Sequence, residues 1–258
     1  MALLWRTTDS GKARGGPGPK PALSVDAIVD AAIAIADEQG MAAPSMRAVG
    51  ERLGRTAMAL YTYVPSKSEL VDLMHDRALA ELPTAYDLDA GWRDAVTRWA
   101  KDTWNFYVRH PWVLQVSQAR PVLGPHEYAV LEALLRILHE TGLKRPVLRR
   151  MAGTLFHLVR SAAQTAAESR QAATETGVGD IEWWYTRAAL LEEVAPDFAE
   201  RYPTVRWLES EPSAAAAEED GTEAGGSVPY LVREAEKTFE VGLAVLLDGI
   251  EAAVARSE

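Results

Sequence analysis

From Ser45 to Leu70 the chain reads SMRAVGERLGRTAMALYTYVPSKSEL, and this stretch admits few folds: two short helices about a tight turn, then a third with its own start signal. Met46, Val49 and Leu53 fall at i, i+3 and i+7 on one face of a helix that Ser45 can cap and Gly54 can end. The next helix must begin almost at once. With Thr56 as its N-cap, Ala57 to Val64 makes two turns, with Leu60 and Tyr61 facing inward and Ala57, Met58, Thr62 and Tyr63 facing out. So small an exposed face suits the major groove of DNA. Ser66-Lys67-Ser68-Glu69 is an S-x-x-E capping box, from which a further helix runs through Leu70, Leu73 and Met74. The plainer reading of the same spacing is a three-helix packing unit with a glycine turn.

Other residues decide between these readings. An amphipathic helix from Ser24 to Gln39, then Gly40, Ser45, Arg47, Val49, Leu53-Gly54, Leu60-Tyr61, Tyr63-Val64, Lys67 and Leu70 make a pattern that runs unbroken from about Leu23 to Leu82. This pattern resembles the DNA-binding domain of the tetracycline-repressor (TetR) family of bacterial regulators. The resemblance implies an all-α fold, with an N-terminal helix-turn-helix DNA-binding domain (residues 23–82) and a larger helical ligand-binding and dimerisation domain (83–258).

A net charge of −10 sits oddly with a DNA partner until its distribution is read. Residues 1–67 hold eight basic and six acidic side chains, and the remainder holds 19 basic and 31 acidic. A basic head on an acidic body concentrates phosphate attraction at the helix-turn-helix, although so small an excess also fits charge scattered over a solvated surface. Zero cysteines excludes disulfides, thiolate metal sites and cysteine nucleophiles, and with no secretory signal pattern the expected location is the cytoplasm. No run of about 18 apolar residues is present, so no membrane span is expected.

Residues 1–22, rich in Gly, Pro and basic side chains, have too little apolar surface to fold alone and read as a disordered basic tail. Arg6, Lys12, Arg14 and Lys20 could reach DNA as a basic arm; the bland alternative is an inert tail. Beyond Trp92 the apolar spacing predicts helices at 92–109, 125–141, 146–170, 180–194 and 228–255, with prolines at their edges. Residues 209–227 carry six acidic and no basic residues and read as a flexible acidic loop. In the last helix Phe239, Leu243, Leu246, Leu247, Ile250 and Val254 form a broad stripe that asks for a partner, either the chain's own core or a second subunit. The family resemblance implies the second: this helix and the one at 146–170 pair with their copies in a homodimer. Two-fold pairing would place two recognition helices roughly 34–36 Å apart.

The resemblance assigns Arg47 to a base or phosphate and Lys67 to a phosphate at a helix N-terminus, roles that suit a bidentate guanidinium and a point charge. Ser45, Thr56, Tyr61, Thr62 and Tyr63 offer hydroxyls, Ala57, Met58 and Ala59 offer apolar contact to thymine methyls, and Arg55 at the turn is either a phosphate contact or a solvated arginine. In the body, seven tryptophans follow residue 90, and such aromatics are either core or the lining of an apolar pocket. Val116 to Pro121, VSQARP, resembles the drug-contacting turn of the tetracycline repressor for which the family is named. Its histidine is replaced by Val116, the histidine ending helix four falls near Pro83, and the asparagine of the next helix falls at Trp99. The expected effector is therefore a small hydrophobic molecule other than tetracycline, with Trp99, Thr103, Val116, Arg120, Phe156, Arg160 and Trp184 as candidate contacts. His75, His110, His126, His139 and His157 show no metal-ligand spacing, and neither metal nor cofactor is expected.

The leading expectation is a homodimeric repressor released from a palindromic double-stranded DNA operator by that effector, with helix four, Lys67 to Leu82, as the lever between the two domains. The alternatives are a ligand-independent regulator or activator, and an all-α enzyme. For the enzyme there is no P-loop, no G-x-S-x-G, no cysteine nucleophile and no metal-spaced cluster.

Overall fold

The computed structural model describes residues 1–6, 23–210 and 230–256. Among these residues the regular structure is helical, and no strand forms. The chain divides into two compact units: Met1–Gln164 with Thr238–Glu258, and Thr165–Lys237.

The first unit opens with the head. Helix α1 (Val25–Gln39) is capped by the Ser24 hydroxyl, which accepts the Ala27 amide proton at 3.1 Å, and α2 (Met46–Leu53) is capped in the same way by Ser45 on Ala48 at 3.1 Å. Gly54 takes the left-handed conformation (φ 64°, ψ 38°) that ends α2, and the Arg55 amide bonds back to the Gly50 carbonyl at 2.8 Å. Gly50 is needed for a different reason: a Cβ there would lie 2.7 Å from the Arg55 carbonyl oxygen, so only glycine lets α2 meet the turn this closely. Helix α3 (Ala57–Tyr61) is capped by Thr56 and stops three residues before the predicted Val64. Pro65 explains this, since the residue before proline is pushed out of helical geometry. Helix α4 (Lys67–Leu79) begins with the Ser66 hydroxyl accepting the Glu69 amide proton at 3.1 Å.

Ile28, Val29, Val49, Leu60, Val64, Leu70 and Met74 are buried at the centre of this head. Each fully buried aliphatic side chain contributes about 1.5–3 kcal/mol. Leu60 and Val64, at i and i+4, take the inward face of the recognition segment, and Tyr61, one helical step round, points outward, contrary to the inward orientation expected of it.

Helix α5 (Trp92–Arg109) has its predicted bounds and is followed by a 3₁₀ turn (Pro111–Gln115) and α6 (Pro125–His139). Helix α7 (Arg145–Thr176) starts in the first unit and ends in the second, running six residues beyond its predicted end. Helix α8 (Asp180–Val194) and the short α9 (Phe198–Arg201) and α10 (Pro203–Ser210) belong to the second unit; the last two were not predicted. Helix α11 (Tyr230–Ala255) begins in the second unit and returns to the first. There the Phe239 ring stacks on Trp104 at 5.0 Å, and Leu243, Leu247 and Ile250 are buried, with Leu246 and Val254 half-buried. The stripe that asked for a partner thus finds much of it in its own chain. The large apolar side chains that α11 leaves exposed among the described residues are instead Val241 and Val245.

The first six residues depart from the expected tail, because the apolar run from Ala2 to Trp5 finds a surface on the folded head and body: Leu4 is buried. Residues 7–22 and 211–227, which carry most of the expected tail and acidic loop, lie outside the described residues.

Candidate DNA-reading surface and effector site

The helix-turn-helix presents its polar side outward. Arg47, Arg55, Thr56, Met58, Tyr61, Thr62, Tyr63 and Lys67 are exposed, while Ser45, Ala57 and Ala59 are partly covered. Met58 is 76% exposed although it is apolar, and it sits on α3, the helix expected to enter the groove. The hydroxyls of Ser45 and Thr56 accept amide protons as caps, which leaves each hydroxyl proton free to donate to a phosphate. Arg47 Nε lies 2.8 Å from Glu51 Oε1, an exposed pair one helical turn apart that holds the guanidinium in place at little energy. Arg52 faces the other way. Its guanidinium takes both oxygens of Glu38 at 2.8 and 2.5 Å, fastening α2 to α1, and this hydrogen bonding holds the Glu38 carboxyl below the usual range.

Two polar junctions within the first unit tie the head to the body. In one, Asp76 on α4 is only 4% exposed and reaches the start of α6, where its Oδ1 accepts the amide protons of His126 and Glu127 at 2.9 and 3.0 Å and its Oδ2 lies 2.8 Å from His126 Nδ1. Helix α6 has Gly124 at its N-cap and so no capping side chain of its own; a buried carboxylate about 50 residues earlier does the work, at the end of the helix whose dipole favours it. The approach is so close that a Cβ on Gly124 would lie 2.1 Å from Asp76 Oδ1. In the second junction, Asp37 near the end of α1 accepts the Trp112 indole proton at 2.7 Å and lies 2.7 Å from Nδ1 of the buried His110, whose Nε2 lies 3.2 Å from Glu81. Sequence reasoning set these histidines aside. The signal that was available is the helix start Gly124-Pro125-His126-Glu127, which has no capping side chain of its own and leaves its first amides for water or a distant residue.

Inside the body, five of the seven candidate effector contacts come together. Trp99 on α5 meets Phe156 on α7 edge to face at 5.0 Å, and the Thr103 hydroxyl donates to the Trp99 carbonyl at 2.8 Å. Arg160, one turn beyond Phe156, donates to the Leu114 carbonyl and to that of Val116 at 3.0 Å, closing the end of the 3₁₀ turn. Its guanidinium is thus engaged with backbone oxygens, and it lies 5.9 Å from the centre of the Tyr107 ring. Arg120 is exposed, and Trp184 lies in the second unit, half exposed and edge-on to Trp183 at 5.3 Å.

The Trp99 indole N–H and Nδ1 of His75 on α4 are both buried without a hydrogen-bond partner. Burial holds the His75 pKa down at about 4, so it is a neutral imidazole at physiological pH. No group of side chains among the described residues has the makings of a metal site, and no helix among them is long and apolar enough to cross a membrane.

A capped helix-turn-helix with an exposed recognition segment, joined through one helix to a helical body, defines a helix-turn-helix transcriptional regulator. Residues 28–74 match the bacterial regulatory proteins of the tetR family, and residues 85–254 match the tetracyclin repressor-like C-terminal domain. The HTH-type transcriptional repressor DrrR1 of Streptomyces coeruleorubidus is 40% identical over 209 residues, covering 81% of this chain and 75% of the relative. Among solved structures, apo ActR from Streptomyces coelicolor shares the fold with a TM-score of 0.66 at 19% identity over 93% of this chain and all of ActR. ActR has also been solved in complex with actinorhodin (TM-score 0.61, 21% identity, 91% of this chain and 99% of that one). A further TetR regulator from the same organism superposes with a TM-score of 0.60 at 25% identity, covering 90% of this chain and 99% of its own. The chain belongs to the TetR family of bacterial regulators, and it is a DNA-binding transcriptional regulator.

Proposed function

We propose that this regulator is a homodimeric repressor that loses its palindromic operator when a small hydrophobic effector enters the helical body, and that it has no enzymatic activity. The observation that carries the release mechanism is the buried Asp76 cap. Helix α4 leaves the DNA-reading head, and its side chain holds the first turn of a body helix, so a shift of α6 is passed to α4 and on to the recognition segment. An effector that prefers the shifted state weakens operator binding by its difference in affinity for the two states.

On the DNA, Arg47 takes a base edge or phosphate after leaving Glu51, Lys67 and Arg55 take phosphates, and Tyr61, Thr62, Tyr63, Ser45 and Thr56 supply hydroxyls. Ala57, Met58 and Ala59 form the apolar patch for thymine methyls. Val241 and Val245, exposed on α11, support pairing of that helix with its copy. For the effector, the Trp99–Phe156 pair favours a flat apolar molecule, and the unpartnered indole N–H favours one with an acceptor oxygen. The repressor among the relatives and the small-molecule complex of ActR fit this reading.

The test is displacement from an operator obtained by selection. A panel of fused-ring quinones should contain compounds that release the protein, with Trp99→Ala losing the response and keeping the operator. Release that is equal in wild type and Trp99→Ala would remove the proposed site, and a monomeric protein on the operator would remove the dimer.

A further inference from the structure

We infer that residues 3–6 are a clamp across the head–body junction, a docking segment whose site is the groove where α1, α4 and α6 meet. Four contacts define it. Leu4 is 7% exposed, the Trp5 indole N–H donates to the Leu123 carbonyl at 2.9 Å, and the Trp5 ring packs on Tyr128 of α6 at 6.3 Å between centres. The Arg6 guanidinium pairs with Asp26 in the first turn of α1 and also bonds the Leu3 carbonyl, which folds the segment back on itself. One end therefore holds the DNA-reading head through α1, and the other holds the body through α6 and the residue that precedes Gly124.

The place matters more than the area covered. Leu4, Trp5 and Arg6 line a cleft of about 300 Å³ together with Leu73, Asp76 and His126, which places the segment beside the buried carboxylate that caps α6. Leu123, which receives the indole proton, is the one non-glycine residue with positive φ (57°) among the described residues, and its own amide donates to Glu127 at 2.6 Å. That conformation costs energy and persists only where the surroundings hold it. The indole bond and the Glu127 bond hold it from both sides. A segment anchored on both head and body removes orientations that a single connecting helix leaves open, so the clamp narrows the head positions available to the free protein and limits opening of the Asp76 cap. It also commits Arg6 to Asp26, away from any role as a DNA arm.

The test is hydrogen exchange of the full-length protein at the His126 and Glu127 amides, for wild type, Trp5→Phe, Trp5→Ala, and Leu4→Asp combined with Trp5→Ala. Trp5 is about half exposed, so Trp5→Ala leaves the core untouched, and because Leu4→Asp places a charge at a buried position, unchanged helix content by circular dichroism verifies that the double variant remains folded. The clamp predicts exchange at least about tenfold faster at these amides in the double variant, with Trp5→Phe intermediate because it keeps the ring and loses the indole bond. Unchanged exchange in both Trp5→Ala and the double variant overturns it. A second consequence rests on the regulator reading: the double variant selects the same operator with several-fold weaker affinity. The exchange measurement uses no DNA, so the clamp and the DNA reading fail separately.

Discussion

Asp76 and His126 are joined twice, by the His126 backbone amide at 2.9 Å from Oδ1 and by the imidazole Nδ1 at 2.8 Å from Oδ2. One residue belongs to the last helix of the DNA-reading head and the other to the first turn of a body helix. A carboxylate this deeply buried is tolerated because two amides, an imidazole and a helix N-terminus all face it.

Loss of the carboxylate should therefore destabilise the protein. Asp76→Ala leaves two amides uncapped in a buried place and should cost about 2–4 kcal/mol, with Asp76→Asn, which retains an acceptor, costing less. Gly124→Ala forces a Cβ into the same carboxylate and should cost about 1–3 kcal/mol. The two changes share one space, so in urea unfolding the double variant Asp76→Ala with Gly124→Ala should be more stable than the sum of the single losses predicts. Simple additivity would show that the carboxylate and the glycine do not constrain each other.

The recognition segment should separate stability from DNA binding. Leu60→Ala removes a fully buried side chain behind the segment and should cost about 2–5 kcal/mol of folding stability. Met58→Ala, on the exposed side, should change stability by less than about 0.5 kcal/mol and weaken or alter operator binding. Thermal melts and operator titrations on both variants test this, and a destabilised Met58→Ala with unchanged DNA binding would contradict the orientation.

His75 gives stability a pH dependence of known sign. Its pKa is about 4 in the folded protein, against about 6.5 when unfolded, so the unfolded chain takes up the proton first. Its contribution is complete above about pH 6.5 and is lost as the pH falls toward 4, by about 3 kcal/mol in all. Denaturant midpoints between pH 7 and 4.5 should fall less steeply in His75→Gln than in wild type. Parallel pH profiles would place the imidazole in water.

What could be read in the sequence was local. Ser24, Ser45, Thr56 and Ser66 were each recognisable as caps from a short polar side chain before an apolar run, and all but Thr56 bond the amide at 3.1 Å. Helix α5 was bounded to the residue because its apolar face repeats cleanly and a proline follows at 111. What escaped depends on partners far along the chain. Nothing near Asp76 announces that it caps a helix beginning at 125, and nothing near Trp5 announces Leu123. Tyr61 is exposed rather than inward because Leu60 and Val64, one helical turn apart, take the buried face. Among the effector candidates, Trp99, Thr103, Phe156 and Arg160 share faces of two helices at four-residue spacing, and Val116 joins them through its carbonyl to Arg160. Arg120 rests on the resemblance and is exposed, and Trp184 rests on composition and belongs to the second unit.

Removing single cations should distinguish their roles on DNA. Lys67→Ala should weaken binding evenly across sequences and reduce the salt slope by about one, while Arg47→Ala should cost about 1–3 kcal/mol where a guanine is read and relax the preference there. Equal losses on all sequences for both variants would assign Arg47 to phosphate alone.

The most direct measurement is selection of the full-length protein on a randomised DNA library at near-physiological salt, followed by a salt titration on the recovered sequence. The account predicts a palindrome with half-sites about one helical turn apart, bound by two chains, with affinity falling steeply as salt rises and lost on Arg47→Ala combined with Lys67→Ala. Recovery of no sequence above weak, non-specific binding, or of a sequence that the double variant binds equally well, would contradict it.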